Sequence, residues 1–206
     1  MRPQQRRLLE STRIGLDQAV IMNKKRGELV KVSKFLSLVL RHDPKSFGLS
    51  LDEAGWANVE DVIRAANRAG RSLDLELLQR VVHENDKQRF AFSSDGNQIR
   101  ANQGHSIDVN LGLQPVDPPA LLYHGTVARF LDSINRAGLV PGNRQFVHLS
   151  KDIETATIVG KRRGKPVILE VEAARMSRDS HDFYLSENQV WLVANVPPDY
   201  LNFPKP

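Results

Sequence analysis

The two halves of this 206-residue chain follow different periodicities, and that switch constrains the fold more than any single motif. In the first half Val32, Phe35, Leu36, Val39 and Leu40 fall at i, i+3, i+4, i+7 and i+8, one face of an α-helix. Pro44 ends that helix and biases Asp43 away from helical angles. In the second half short apolar runs alternate with turn residues: LLYHGT, VHLS, PVILEVEA and VWLVANV read as strands. Between the halves, residues 103–120 carry QGHS and VDPP, a proline-rich joint.

The first half reads as three helices and a hairpin. FGLSL is expected as a short strand, followed by a turn at Gly55 and by Trp56. Asn58 and Asp61 resemble a capping pair opening a second helix, which Gly70 closes. A third helix turns Leu73, Leu77, Leu78, Val81 and Val82 inward. RFAF and QIRA then form two strands about an Asp95-Gly96 turn. Three helices followed by a hairpin is a winged-helix layout, which suggests nucleic acid without naming a task. In the second half LLYHGT should end in a loop, and helices are expected at Phe130–Ala137, stopped by Gly138, and at Ile153–Val159. The fold class is α+β, with a mixed or antiparallel sheet in the second half.

Charge is informative only through its placement. Of the net +5, all resides in residues 1–26, where seven Lys/Arg face Glu10 and Asp17; the other 22 basic and 22 acidic residues cancel. An anion site in the folded part must therefore come from convergence of side chains. The basic arm could hold RNA or DNA through counterion release, or serve as a disordered solubilising tail. No apolar run approaches the ~20 residues of a membrane span. The start MRPQQRRLLESTRIGL lacks the apolar core of a signal peptide, so a cytoplasmic setting is expected, as it is from the absence of cysteine.

Several polar residues sit where elements end. Arg41 closes the first helix, Arg89 opens the hairpin, and Arg162 lies in GKRRGKP before a strand. Arginine's planar fork of donors matches phosphate oxygens; a solvated surface position, or the ordinary preference of a helix C-terminus for cations, explains each one equally simply. His42, His105, His124 and His148 lie near element ends without metal-ligand spacing, so no metal is expected. His124-Gly125-Thr126 could bring backbone close to a ligand, or His124 could be a buried histidine satisfied by main chain. Glycine-rich dinucleotide and P-loop fingerprints are absent.

Eight ordered segments together resemble the RNA 2′-phosphotransferase family (tRNA 2′-phosphotransferase, KptA-type): SKFLSLVLRHDP, LDEAGWANVEDVI, DKQRFAF, IRANQGHS, LLYHGT, FVHLSKD, VGKRRGKPVILEV and ENQVWLVANVPP, covering roughly residues 28–203. The resemblance implies a basic arm over 1–27, a winged-helix RNA lobe over 28–102, and an NAD-binding lobe of ADP-ribosyltransferase fold over 103–206. It implies a two-step reaction on RNA bearing an internal 2′-phosphate, as at a tRNA splice junction. The 2′-phosphate attacks the nicotinamide-bearing ribose carbon of NAD and expels nicotinamide. The ADP-ribose 2″-hydroxyl then attacks phosphorus, leaving RNA 2′-OH and ADP-ribose 1″,2″-cyclic phosphate. By motif, Arg41, His42, Arg89 and Arg162 correspond to the catalytic set, with Arg163 an alternative to Arg162. NAD contacts correspond to His105 and Ser106, to His124, Gly125 and Thr126, and to His148, Leu149 and Ser150. Gln189 stands where the family commonly has glycine. A monomer is expected. The rival readings are a transferase that stops after ADP-ribosylating a nucleic-acid terminal phosphate, and a non-enzymatic winged-helix regulator.

Overall fold

A computed structural model describes residues 26–84 and 87–204; most of the basic arm lies outside the described residues. The first helix, α1, runs over residues 26–41. Its expected stripe is buried throughout: Val32 and Phe35 are nearly inaccessible, and Leu36, Val39 and Leu40 are fully so. At its end the N–H groups of His42 and Asp43 both donate to the Leu38 carbonyl, at 3.0 and 2.9 Å. Pro44 has no N–H to continue the ladder and instead leads into a 3-10 turn, Lys45–Phe47.

FGLSL is not a strand. Gly48 adopts φ 65°, and the N–H groups of Gly48 and Leu49 donate back to Lys45 and Pro44. Local turn bonds thus consume the donors a ladder would need, while Leu49 still drops into the core. The strand comes later, as β1 (Ala57–Asn58). Asn58 then caps α2 (Val59–Arg68) by accepting from the N–H groups of Glu60 and Asp61, and Gly70 follows in the left-handed region at φ 71°. Asp74 caps α3 (Leu75–His83) through the Leu77 N–H. The hairpin of β2 (Phe90–Phe92) and β3 (Gln98–Ala101) turns at Asp95-Gly96 as expected, and the sheet order is β1-β3-β2, antiparallel.

Beyond the joint the chain builds two three-stranded antiparallel sheets. One orders β4 (Leu122–Val127), β6 (Pro166–Val171) and β9 (Leu201–Asn202) as β4-β6-β9. The other orders β5 (Val147–Leu149), β7 (Phe183–Leu185) and β8 (Trp191–Val193) as β5-β8-β7. Tyr123 and Ser150 exchange backbone hydrogen bonds at 2.9 and 2.8 Å, which ties β4 to the end of β5. LLYHGT does not end in a loop, because β4 continues to Val127 along β6. Three helices complete this half: α4 (Leu131–Ala137), α5 (Ile153–Gly160) and α6 (Ala173–Arg178). The molecule is α+β. One apolar cluster spans Val32 to Ala101 and a second spans Leu122 to Leu201. Among the described residues, no helix is long and apolar enough to cross a membrane.

The joint is bonded on both sides. The Ser106 N–H donates to the Arg41 carbonyl at 2.9 Å and that of Asn110 to Glu53 at 2.7 Å. On the other side the Val116 N–H donates to Phe183, and the Gln145 N–H to His105.

Candidate active site

Arg41 is the centre of the seam between the halves. It is 8% exposed, one Nη donates to the Arg89 carbonyl at 3.3 Å, and its guanidinium lies 5.7 Å from the Phe90 ring centroid. Its Nε is buried with no protein partner. Among the described residues no acidic side chain pairs with Arg41, Arg144, Arg162 or Arg163. Burying a cation without an anion is costly. Burial, followed by the charges of Arg89 and Arg144, lowers the Arg41 pKa to about 10, which still leaves it charged at neutral pH.

The other arginines surround it. Arg89, just before β2, has its pKa lowered by burial and by Arg162. Arg144, in the loop before β5, is lowered by partial desolvation and by Arg163 and Arg162. Arg162 and Arg163 sit in the exposed 3-10 turn Lys161–Arg163, with Arg163 also 5.8 Å from the Phe130 ring. Arg41 lies within electrostatic reach of Arg89, and Arg89 of Arg162. Arg144 was not singled out by the sequence. It is one loop cation among 29 Lys and Arg, and its only signal is a place three residues before VHLS.

Histidines line the same seam, all with pKa values below the ordinary range. His42 is lowered by burial, then by Arg41 and Arg144. Its Nδ1 lies 2.9 Å from the Ser106 hydroxyl, whose oxygen is 3.4 Å from the Arg41 carbonyl. With the hydroxyl proton on that carbonyl, Nδ1–H donates to Ser106 and Nε2 of His42 keeps a free lone pair. His124 donates from Nδ1 to the His148 carbonyl at 3.2 Å, and burial is the main cause of its lowered pKa. His148, pushed down to about 3 by burial and then by Arg144, is neutral. Its Nδ1 lies 3.0 Å from the Phe146 carbonyl and its Nε2 2.7 Å from the Gln103 Oε1, and the single N–H of the neutral ring donates to one of these two acceptors. His105 is 2% exposed, both ring nitrogens lack partners, and burial with Arg41 and His42 nearby lowers it to about 4.

Not every expected contact residue presents its side chain to this seam. Leu149 is buried in the second core and has only its backbone to offer. The backbone of Ser150 is engaged by Tyr123, which leaves its hydroxyl. Gly125 is glycine for a different reason from close approach to a ligand: a Cβ there would lie 1.9 Å from the Ala156 carbonyl oxygen, so the missing side chain is what lets α5 lie on β4. His124 and Thr126 flank it on the opposite face of the strand, and Thr126 is buried. Gly104, at φ 88°, threads between Arg41 and His148; a Cβ there would meet both at 3.5 and 3.7 Å.

The β7–β8 turn closes the seam from the other end. Glu187 pairs with Arg100, which stacks 4.5 Å from the Trp56 ring centroid, and the Asn188 amide donates to the Lys87 carbonyl at 2.9 Å. Gln189 sits at φ 61°, a conformation glycine adopts at less cost.

A set of buried or crowded cations beside histidines with lowered pKa values is suited to phosphoryl oxygens and to moving a proton. Comparison with known proteins agrees in kind. Residues 27–195 match the family described as RNA 2′-phosphotransferase, Tpt1 / KptA family. A probable RNA 2′-phosphotransferase of Rhodopirellula baltica is 56% identical over 178 residues, covering 86% of this chain and 97% of that protein. One from Flavobacterium johnsoniae is 56% identical over 172 residues (84% and 94%), and one from Streptomyces coelicolor 54% over 177 residues (86% and 96%). With nearly its whole described length matched, the chain belongs to the Tpt1/KptA family of RNA 2′-phosphotransferases.

Proposed function

We propose that this protein is an NAD-dependent RNA 2′-phosphotransferase acting on RNA with an internal 2′-phosphate. The observation that carries the reading is Arg41: a buried, charged guanidinium, without an acidic partner among the described residues, within reach of the charges of Arg89 and Arg144. The order α1-β1-α2-α3-β2-β3 with sheet order β1-β3-β2 supports a winged-helix RNA lobe over 28–102. Two antiparallel sheets around a separate core support an NAD lobe of ADP-ribosyltransferase type over 103–206. The seam fits a dinucleotide: the orphaned His105 nitrogens, the His124 ring and the Thr126 and Ser150 hydroxyls offer directional partners, and the arginines offset pyrophosphate charge.

NAD supplies an electrophilic ribose carbon whose bond to nicotinamide breaks as the RNA phosphate oxygen bonds to it. The phosphate is already anionic, so this chain's task there is positioning, through Arg41 and Arg89. In the second step the 2″-hydroxyl bonds to phosphorus and the RNA 2′-oxygen leaves with a proton. Negative charge then builds on the phosphoryl oxygens, where preorganised guanidinium groups stabilise it. His42, neutral and with Nε2 available, takes the hydroxyl proton and can return it to the leaving oxygen. Among the arginines, Arg144 acts on Arg41 and His42 directly, whereas Arg162 acts on Arg89 and Arg144. Arg144 thus tunes Arg41 and His42, and Arg162, the arginine matched by motif, is assigned the charge that builds on the phosphoryl group in the second step.

The test is the product set with NAD and a 2′-phosphorylated oligonucleotide. Release of nicotinamide and of the cyclic phosphate supports the reading. Arrest at ADP-ribosylated RNA favours a terminal-phosphate transferase, and no nicotinamide release overturns both. Arg162→Ala should slow the second step by ~100-fold and let ADP-ribosylated RNA accumulate. If Arg163→Ala or Arg144→Ala accumulates it and Arg162→Ala does not, the assignment passes to that arginine. A protein-modifying transferase is disfavoured because Glu187, the acidic residue of the late turn, is held by Arg100.

A further inference from the structure

The solvent side of α1 opens into a groove of about 420 Å3 that the chemistry above touches only at Arg89. Its floor is apolar: Leu29, Val30 and Val81, with Val30 49% exposed. Its rim is basic: Lys34 on α1, Lys87, and Arg89, the residue shared with the phosphate site. Among the described residues of the lining, the acidic one, Glu84, is paired with Arg80 at 3.0 Å. The volume is within the ~300–1,000 Å3 of pockets that hold ligands.

We infer that this groove between α1, α3 and residues 87–89 holds the RNA strand adjoining the phosphate-bearing nucleotide. The inference rests on the phosphotransferase reading and deepens it. Continuity at Arg89 decides the occupant. A chain that places one phosphate in the arginine cluster and runs on past Arg89 must itself be anionic to suit Lys34 and Lys87. An apolar floor with cations along the rim suits sugar and base faces below and phosphates above. Among the described residues no aromatic side chain lines the groove, so they offer no stacking platform and suit backbone and length, not sequence.

The experiment compares kcat/KM for a 2′-phosphorylated dinucleotide with that for a single-stranded RNA of ~10 nucleotides carrying the same internal 2′-phosphate. The intact enzyme should prefer the longer RNA, and Lys34→Glu should cut the long-to-short ratio about tenfold. Lys34 is exposed on its helix, so the milder Lys34→Ala keeps the test open should the charge reversal unfold the protein. Lys34→Ala should also shallow the log–log salt dependence of long-RNA binding by about 0.7. A ratio and slope unchanged by both variants, with dinucleotide turnover intact, overturn the groove assignment and leave the phosphotransferase reading standing. Loss of Lys34→Glu dimers in sedimentation, with that ratio unchanged, would assign the face to a second copy of the chain instead. Absence of turnover of either RNA by the intact enzyme overturns both.

Discussion

Arg41 and His42 set each other's chemistry. A buried guanidinium without an anion is costly until phosphate arrives, and until then its field bears on the imidazole beside it. His42 is therefore neutral at pH 7, the state a general base needs, and it protonates only when pH falls below the ordinary histidine range. The acid limb of the second step should accordingly lie below pH ~6.5. Arg144→Gln removes one of the cations that depress His42, so the limb should move to higher pH; Arg144→Lys keeps the charge and should leave it in place. Decay of isolated ADP-ribosylated RNA, followed across pH, measures this, and an unmoved limb in Arg144→Gln refutes it. The sequence made Arg41, His42 and Arg89 legible because each sits in a recognisable segment at an element boundary. Arg144 was not legible because nothing local marks it. Its importance arises only where the loop before β5 returns to the end of α1.

Elements with sustained patterns were readable: α1 from its five-residue stripe, α2 from its cap and closing glycine, and the β2–β3 hairpin from its Asp95-Gly96 turn. Those that exist through distant partners were not. β9 is two residues that pair with β6, β7 is three that pair with β8, and α6 is a six-residue turn after β6. FGLSL misled because Phe47, Leu49 and Leu51 alternate like a strand while Gly48 folds them into a turn. Gly125 shows the opposite case, a residue noticed for one reason and required for another. Gly125→Ala would drive a methyl into the Ala156 carbonyl, which belongs to backbone and cannot rotate away. Such overpacking costs roughly 1–3 kcal/mol, or a fall of about 2–12 °C in Tm for a protein of this size. Gly27→Ala, with nothing within 4 Å, is the control and should not lower Tm. Thermal unfolding decides it: equal Tm for the two variants would mean that α5 does not rest on β4 this closely.

At the scale of the molecule, two apolar cores meet across a polar seam, and the seam is where the titratable groups are buried. The bonds from Ser106 to Arg41, from Gln145 to His105 and from Arg100 to Glu187 hold the halves together there. Burial that suits a phosphate site also makes the seam sensitive to acid. His105 and His148 have folded-state pKa values of about 4 and about 3, against an ordinary value of 6.5. Above pH 6.5 both are neutral whether the chain is folded or not, and they contribute no pH dependence. As pH falls below that value the unfolded chain takes up protons that the folded seam refuses, so stability is lost. The loss approaches roughly 1.4 kcal/mol per pH unit for each ring, and it levels off only once the folded pKa is passed. Carboxylates with ordinary pKa values add to the slope mainly near pH ~4, so the interval from about 6 to about 5 isolates the histidines. Urea unfolding across that interval should give a falling stability in the intact protein, and His105→Gln should reduce the slope by the share of one ring. A flat profile would mean that the rings accept protons in place, and that the seam is wetter and more open than two neutral, buried histidines require.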